Sequence, residues 1–87
     1  MNYEDLLIEA DNNQLITKEM PLLANAGRIK GNRIAIKKDL CTTEKGCVLA
    51  EELGHYYTST GNILDQNDVS NRKQEHRARL WAYDKLV

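Results

Sequence analysis

A chain of 87 residues with 41% hydrophobic and 29% charged content makes one folded domain with a thin core, because a chain this short buries only about 60 to 65% of the surface it exposes when unfolded. Its formal charge of −1 supplies no general attraction to phosphate backbones or anionic membranes, so a nucleic-acid role needs a local basic patch. No apolar run approaches the roughly 20 residues that span a bilayer, no signal peptide is legible, and Cys41 and Cys47 suit reduced thiols, so a cytoplasmic protein without membrane contact is expected.

In chain order, Tyr3, Leu6, Leu7 and Ala10 recur at helical spacing and predict a first helix from about Asn2 to Asn13 with one apolar face. Leu15 to Leu23 reads as extended, because Pro21 biases Met20 away from helical angles. Ile29-Lys30 and Arg33 to Ile36 read as two short strands joined by Gly31-Asn32, since Gly31 can supply the positive φ of a two-residue hairpin. Arg28, Lys30, Arg33 and Lys37 flank this hairpin; an edge here can accept an extended peptide or merely be guarded from aggregation.

A second helix begins near Thr42 or Thr43 and runs to about Ser59 before Gly61. Its apolar arc comprises Gly46, Leu49, Ala50, Leu53, Tyr56 and Tyr57, with Glu44, Val48, Glu51, Glu52 and His55 opposite. After a polar loop from Asn62 to Val69, Ser70 is expected to cap a third helix reaching the end of the chain. That helix is still periodic at Val87, and Leu80 and Val87 lie off its Ala78, Ala82 and Leu86 stripe, so apolar surface awaiting a further C-terminal segment or a partner is expected. The fold class is α+β, with three helices and a small antiparallel sheet or hairpin, and residues 1–87 form one domain.

Chemistry concentrates on the second helix. Residues four apart on a helix share a face with Cβ atoms about 5 to 6 Å apart, which lets two ligands grip one metal ion. Glu51 and His55 have that spacing, and Glu52 projects about 100° round the helix, where a carboxylate can act on a water as general base. Ala50-Glu51-Glu52-Leu53-Gly54-His55 is thus an HExxH helix whose first His has become Glu. Gly54 weakens a helix interior by about 1 kcal/mol relative to Ala, so a close packing contact or an open approach is expected there.

A catalytic zinc usually takes three protein ligands. Glu75 is the choice for the third, since it sits beside the stripe of the third helix that should face the second; Asp65, Asp68 and His76 are weaker candidates. The ordinary alternative is that these charges are a solvated face, because a short motif missing one His often matches by chance. Cys47, one turn before Glu51, is a substitute ligand or a small buried hydrophobe. Tyr56 and Tyr57 read as core.

The run from Cys47 to Tyr57, preceded by Gly31-Asn-Arg-Ile-Ala-Ile36 and followed by Glu75-His-Arg-Ala-Arg-Leu-Trp-Ala82, resembles the ImmA/IrrE family of metallopeptidases over nearly the whole chain. The resemblance implies a zincin-like fold with metal ligands at His55 and Glu75, a general base at Glu52, and cleavage of helix-turn-helix repressors that releases phage or stress genes. The departure is Glu51, where the family usually has His. Carboxylate oxygen binds zinc at about 2.0 to 2.2 Å, much as imidazole does. Two carboxylates would nevertheless cancel the charge of the ion and make it a weaker Lewis acid. Slow catalysis, a preference for Mn²⁺ over Zn²⁺, or no metal each follow from that chemistry.

Three functions compete. The first is a metal-dependent endopeptidase, with Glu51, His55 and Glu75 as ligands and Glu52 as base, acting on a repressor laid along the hairpin edge. The second is a non-catalytic peptidase-like interaction domain that regulates such a repressor. The third, nucleic-acid binding through Arg72, Lys73, Arg77 and Arg79, is disfavoured because those side chains spread round the helix.

Overall fold

The computed structural model describes residues 1–58 and 68–86, the side chains of 68–75 excepted. Its elements are α1 (Tyr3–Asn12), β1 (Ile16–Met20), β2 (Gly27–Lys30), β3 (Arg33–Lys37), α2 (Thr42–Thr58) and α3 (Asp68–Leu86). The α+β class with three helices is as expected, and the expected hairpin is part of a three-stranded mixed sheet in the order β1-β3-β2.

Helix α1 starts at a capping box. The Asn2 side chain accepts from the Asp5 N–H at 2.8 Å and the Asp5 carboxylate accepts from the Asn2 N–H at 3.2 Å, so two amides with no helical partner are satisfied at once. Leu6 and Ala10 of the apolar stripe are fully buried. Gln14 adopts a left-handed conformation at φ 62°, and the Leu15 N–H returns to the Ala10 carbonyl at 2.9 Å, which ends the helix.

The extended segment after α1 becomes β1, which pairs parallel to β3 with Ile16 opposite Arg33 and Met20 opposite Lys37. Strands β2 and β3 form the antiparallel hairpin, with Lys30 opposite Arg33 around the two-residue loop. Gly31 supplies the positive φ, at 60°, that such a loop requires. Because side chains alternate across a strand, Ile34 and Ile36 of β3 turn together toward the helices and are buried.

The core joins these two residues to Leu6, Leu15, Leu49 and Leu53. Helix α2 is its axis, packed by α1, the sheet and α3. Helix α3 begins at Asp68, two residues before the expected cap, so Ser70 lies inside the helix. Its Ala78 and Ala82 are buried while Leu80 is exposed, as the stripe predicts; Val87 lies outside the described residues. Among the described residues no helix is long and apolar enough to cross a membrane.

Candidate metal centre

The three motif residues on α2 occupy different environments. Glu51 and His55 are half-buried, one turn apart. Glu52 is 8% exposed and is the one buried charged side chain among the described residues. This corrects the helical-wheel assignment, which set Val48 and Glu52 on the solvated side. The reason is β2, which lies over that side of α2 and leaves Val48 packed against the core.

Gly27 makes that approach possible. A Cβ at position 27 would lie 3.1 Å from Glu52 Oε2 and 3.4 Å from its Cγ, and would collide with Val48 Cγ1. The strand can cover the carboxylate only because it starts with a residue lacking a side chain. Glu52 is therefore enclosed by the edge strand of the sheet, one helical turn from His55.

Gly54 serves the other side of the helix. A Cβ there would run into the Ala78 carbonyl oxygen and lie 3.0 Å from the Ala78 Cα, so α2 and α3 meet backbone to backbone, the close contact expected from the glycine. One turn back, Glu51 Oε1 lies 3.5 Å from Arg79 Nε, with the side chains 45% and 60% exposed. An ion pair so open to solvent contributes little to stability.

Glu75 belongs to α3, one turn before Ala78 and Arg79, but its side chain lies outside the described residues. The same holds for the side chain of Asp68, and Asp65 is outside them altogether. His76 is exposed. Among the described residues no three His, Cys, Asp or Glu side chains gather as a ligand set. Cys47 is exposed rather than buried, one turn before Glu51.

Tyr57 is structural. Its hydroxyl donates to Glu9 Oε2 at 2.5 Å and accepts from Asn13 Nδ2 at 2.6 Å, and its ring lies 4.9 Å from that of Trp81. Burial first, then the hydrogen bond to Glu9, push its phenol up to about 12. Tyr3 is similar: burial and its hydrogen bond to Glu19 at 2.8 Å raise it to about 12. Lys45, also at 2.8 Å from Glu19, and then Tyr3 hold that carboxyl below the usual range. These contacts tie α1, β1 and α2 into the frame that carries the motif. The sequence hid them because each partner comes from a distant segment.

The donor chemistry on α2 fits a divalent cation. A carboxylate and an imidazole at i and i+4 offer an oxygen and a nitrogen donor on one helix face, with a second carboxylate set apart from them by the helical turn. A Glu-Glu-x-x-His helix beneath an edge strand, closed on its far side by an antiparallel helix contact, is the frame of a metallopeptidase-like domain. The family model described as IrrE N-terminal-like domain, a peptidase family, matches residues 2–86, and the chain belongs to that family. No curated protein matches the chain, and no solved structure does.

Proposed function

We propose that this domain is a metal-dependent endopeptidase acting on a helix-turn-helix repressor-type protein, with Glu51, His55 and Glu75 holding Zn²⁺ or Mn²⁺. The observation that carries this reading is the enclosure of Glu52. A carboxylate kept 8% exposed under an edge strand is withheld from bulk water and held in one place, as a general base must be. A surface ion pair needs neither condition.

A cation held by these residues would supply Lewis acidity toward the scissile carbonyl. Glu52 takes a proton from the water as its oxygen adds to the peptide carbonyl carbon, then delivers that proton to the amide nitrogen, so the C–N bond breaks as the tetrahedral adduct collapses to acid and amine. Strand β2 is an edge strand, so a substrate can pair with its free backbone groups. Gly27 in that strand sets the paired peptide directly beside Glu52. The imidazole of His55 and the carboxylates of Glu51 and Glu75 would make up the three-ligand set that catalytic zinc uses.

The experiment compares the parent chain with Glu52→Gln on a cognate helix-turn-helix repressor, with metal content measured after purification at neutral pH. The expected result is cleavage by the metal-loaded parent and none by Glu52→Gln at unchanged metal content. Equal cleavage by both proteins with metal tightly bound rules the mechanism out.

One observation favours a second reading, a non-catalytic peptidase-like domain that binds the same class of regulator. Glu51 has a cationic neighbour already, Arg79, and a guanidinium satisfies a carboxylate without any metal. A parent that binds no metal but gains tight zinc binding on Glu51→His supports that alternative.

A further inference from the structure

The face of the sheet turned away from the helices takes no part in the site described above. Its side chains follow from the register. Ile16, Arg33 and Lys30 form one row across the three strands, Lys18, Ala35 and Arg28 the next, and Met20 and Lys37 the last. Five cations thus share one face with no acidic residue, in a chain whose net charge is −1. The remaining charge of β1, Glu19, is engaged by Tyr3 and Lys45 of the helical layer.

None of the five cations has an acidic partner among the described residues. Lys30 stands directly opposite Arg33, and like charges across a strand pair destabilise it. The face is also concave. A hollow of about 690 Å³ lies over it, lined by Lys18, Arg28, Lys30 and Arg33 and floored by Ile16 and Met20. Ile16 and Met20 are 45% and 44% exposed, and Leu22 adds apolar surface at one end.

We propose that this face docks an acidic amphipathic helix of a partner protein. Its apolar side chains would cover Ile16, Ala35 and Met20, and its carboxylates would meet Lys18, Arg28, Lys30 and Arg33. Charge complementarity names the sign of the partner, and the aliphatic floor selects its class. Single-stranded nucleic acid binds through aromatic stacking platforms, and no aromatic residue lies in these rows; a phosphate backbone would also leave the aliphatic floor uncovered. An amphipathic helix satisfies both parts of the surface. The proposal is independent of peptidase activity, since the motif residues lie on the opposite side of the sheet.

The test uses a fluorescein-labelled helical peptide of about 18 residues, or five turns, with Leu along one stripe and Glu on both flanks. A scrambled peptide of the same composition and an oligothymidylate of equal length are the controls, with anisotropy read against the whole chain. The amphipathic peptide should bind, weaken as salt rises from about 50 to about 300 mM, and shift the amide resonances of β1 and β3. Lys18→Glu with Arg28→Glu should weaken it about tenfold or more, Lys18→Ala and Lys30→Ala singly by less, and Glu52→Gln not at all. Unchanged thermal melts show that the variants fold; where the double reversal does not, the single alanine variants carry the test. Equal binding of the scrambled peptide, tighter binding of the oligothymidylate, or indifference to the substitutions overturns the proposal. So does a concentration-dependent self-association that Lys18→Glu abolishes, which would assign the face to a second copy of this chain.

Discussion

Glu51 and Arg79 face one another across the contact of α2 with α3, 3.5 Å apart, so the first carboxylate of the Glu-Glu-x-x-His run has a positive charge beside it. A guanidinium in that position would compete with any divalent cation held by the same carboxylate. Removing it should tighten metal binding. For Arg79→Ala the expected gain in Zn²⁺ or Mn²⁺ affinity is about two- to fivefold, the scale of an exposed ion pair of ~0.2–1 kcal/mol. Isothermal titration of both proteins reads it, and an unchanged affinity would show that Glu51 is not a ligand. The same substitution should change stability by less than ~1 kcal/mol.

The contact of Gly54 with Ala78 leaves no room for a methyl group. Alanine at position 54 gains about 1 kcal/mol of helix propensity, but its Cβ meets backbone atoms of α3, which cannot rotate aside as a side chain does. Overpacking costs about 1 to 3 kcal/mol, so Gly54→Ala should be destabilising on balance and should push α3 outward. Thermal unfolding should show a lower Tm, by about 4 to 8 °C per kcal/mol in a domain of this size. If Glu75 is the third ligand, metal affinity should fall with it. A variant as stable as the parent would mean that the two helices are not in close contact.

The two raised tyrosines set an alkaline limit. Tyr3 and Tyr57 hold their protons up to about 12 in the folded chain and release them near 10 when unfolded. Above pH 10 the folded state binds more protons than the unfolded state, so stability is intact below that value and declines as pH rises through about 12. Tyr57→Phe should be less stable at neutral pH, having lost the Glu9 and Asn13 hydrogen bonds, and should lose less on going from pH 9 to 11. Urea titrations at the two pH values test this. Glu19 acts at the acid end: its lowered carboxyl gives stability that is present above the ordinary carboxylate range and lost as pH falls through the folded value.

Thr17 offers a substitution in the opposite direction. Its Oγ1 is buried and has no hydrogen-bond partner among the described residues, a desolvation penalty that a methyl group would not carry. Thr17→Val preserves shape and β-branching and should stabilise the fold by about 1 kcal/mol. A urea denaturation midpoint that does not rise would mean that the hydroxyl is satisfied in solution.

The local rules in the sequence reached as far as local structure. Hydrophobic period identified all three helices, and Gly31 identified the hairpin, because each signal sits within a few residues of what it specifies, whereas the expected caps, Thr42 or Thr43 and Ser70, lie inside α2 and α3. Pairing of β1 with β3 was out of reach: the alternation in β1 fits either neighbour and either direction, and a loop intervenes. Glu52 was misplaced for the same reason. Its own helix presents it on the polar arc, and only the arrival of Gly27 from another element covers that arc. The shared face of Glu51 and His55 was legible, since i and i+4 positions on a helix lie together whatever surrounds them. The cation beside Glu51 was not, since Arg79 reaches it from a helix whose orientation depends on Gly54.

The sheet order carries a consequence for how the protein is born. The central strand, β3, is the last of the three to be synthesised, and β1 and β2 do not bond to each other. A nascent chain emerging from the ribosome therefore holds β1 with its backbone amides unsatisfied until Lys37 has cleared the exit. The helix that supplies more of the core than any other element follows only after that. The three-stranded sheet therefore cannot be complete before β3 has emerged, and its helical face is not covered by α2 until later still.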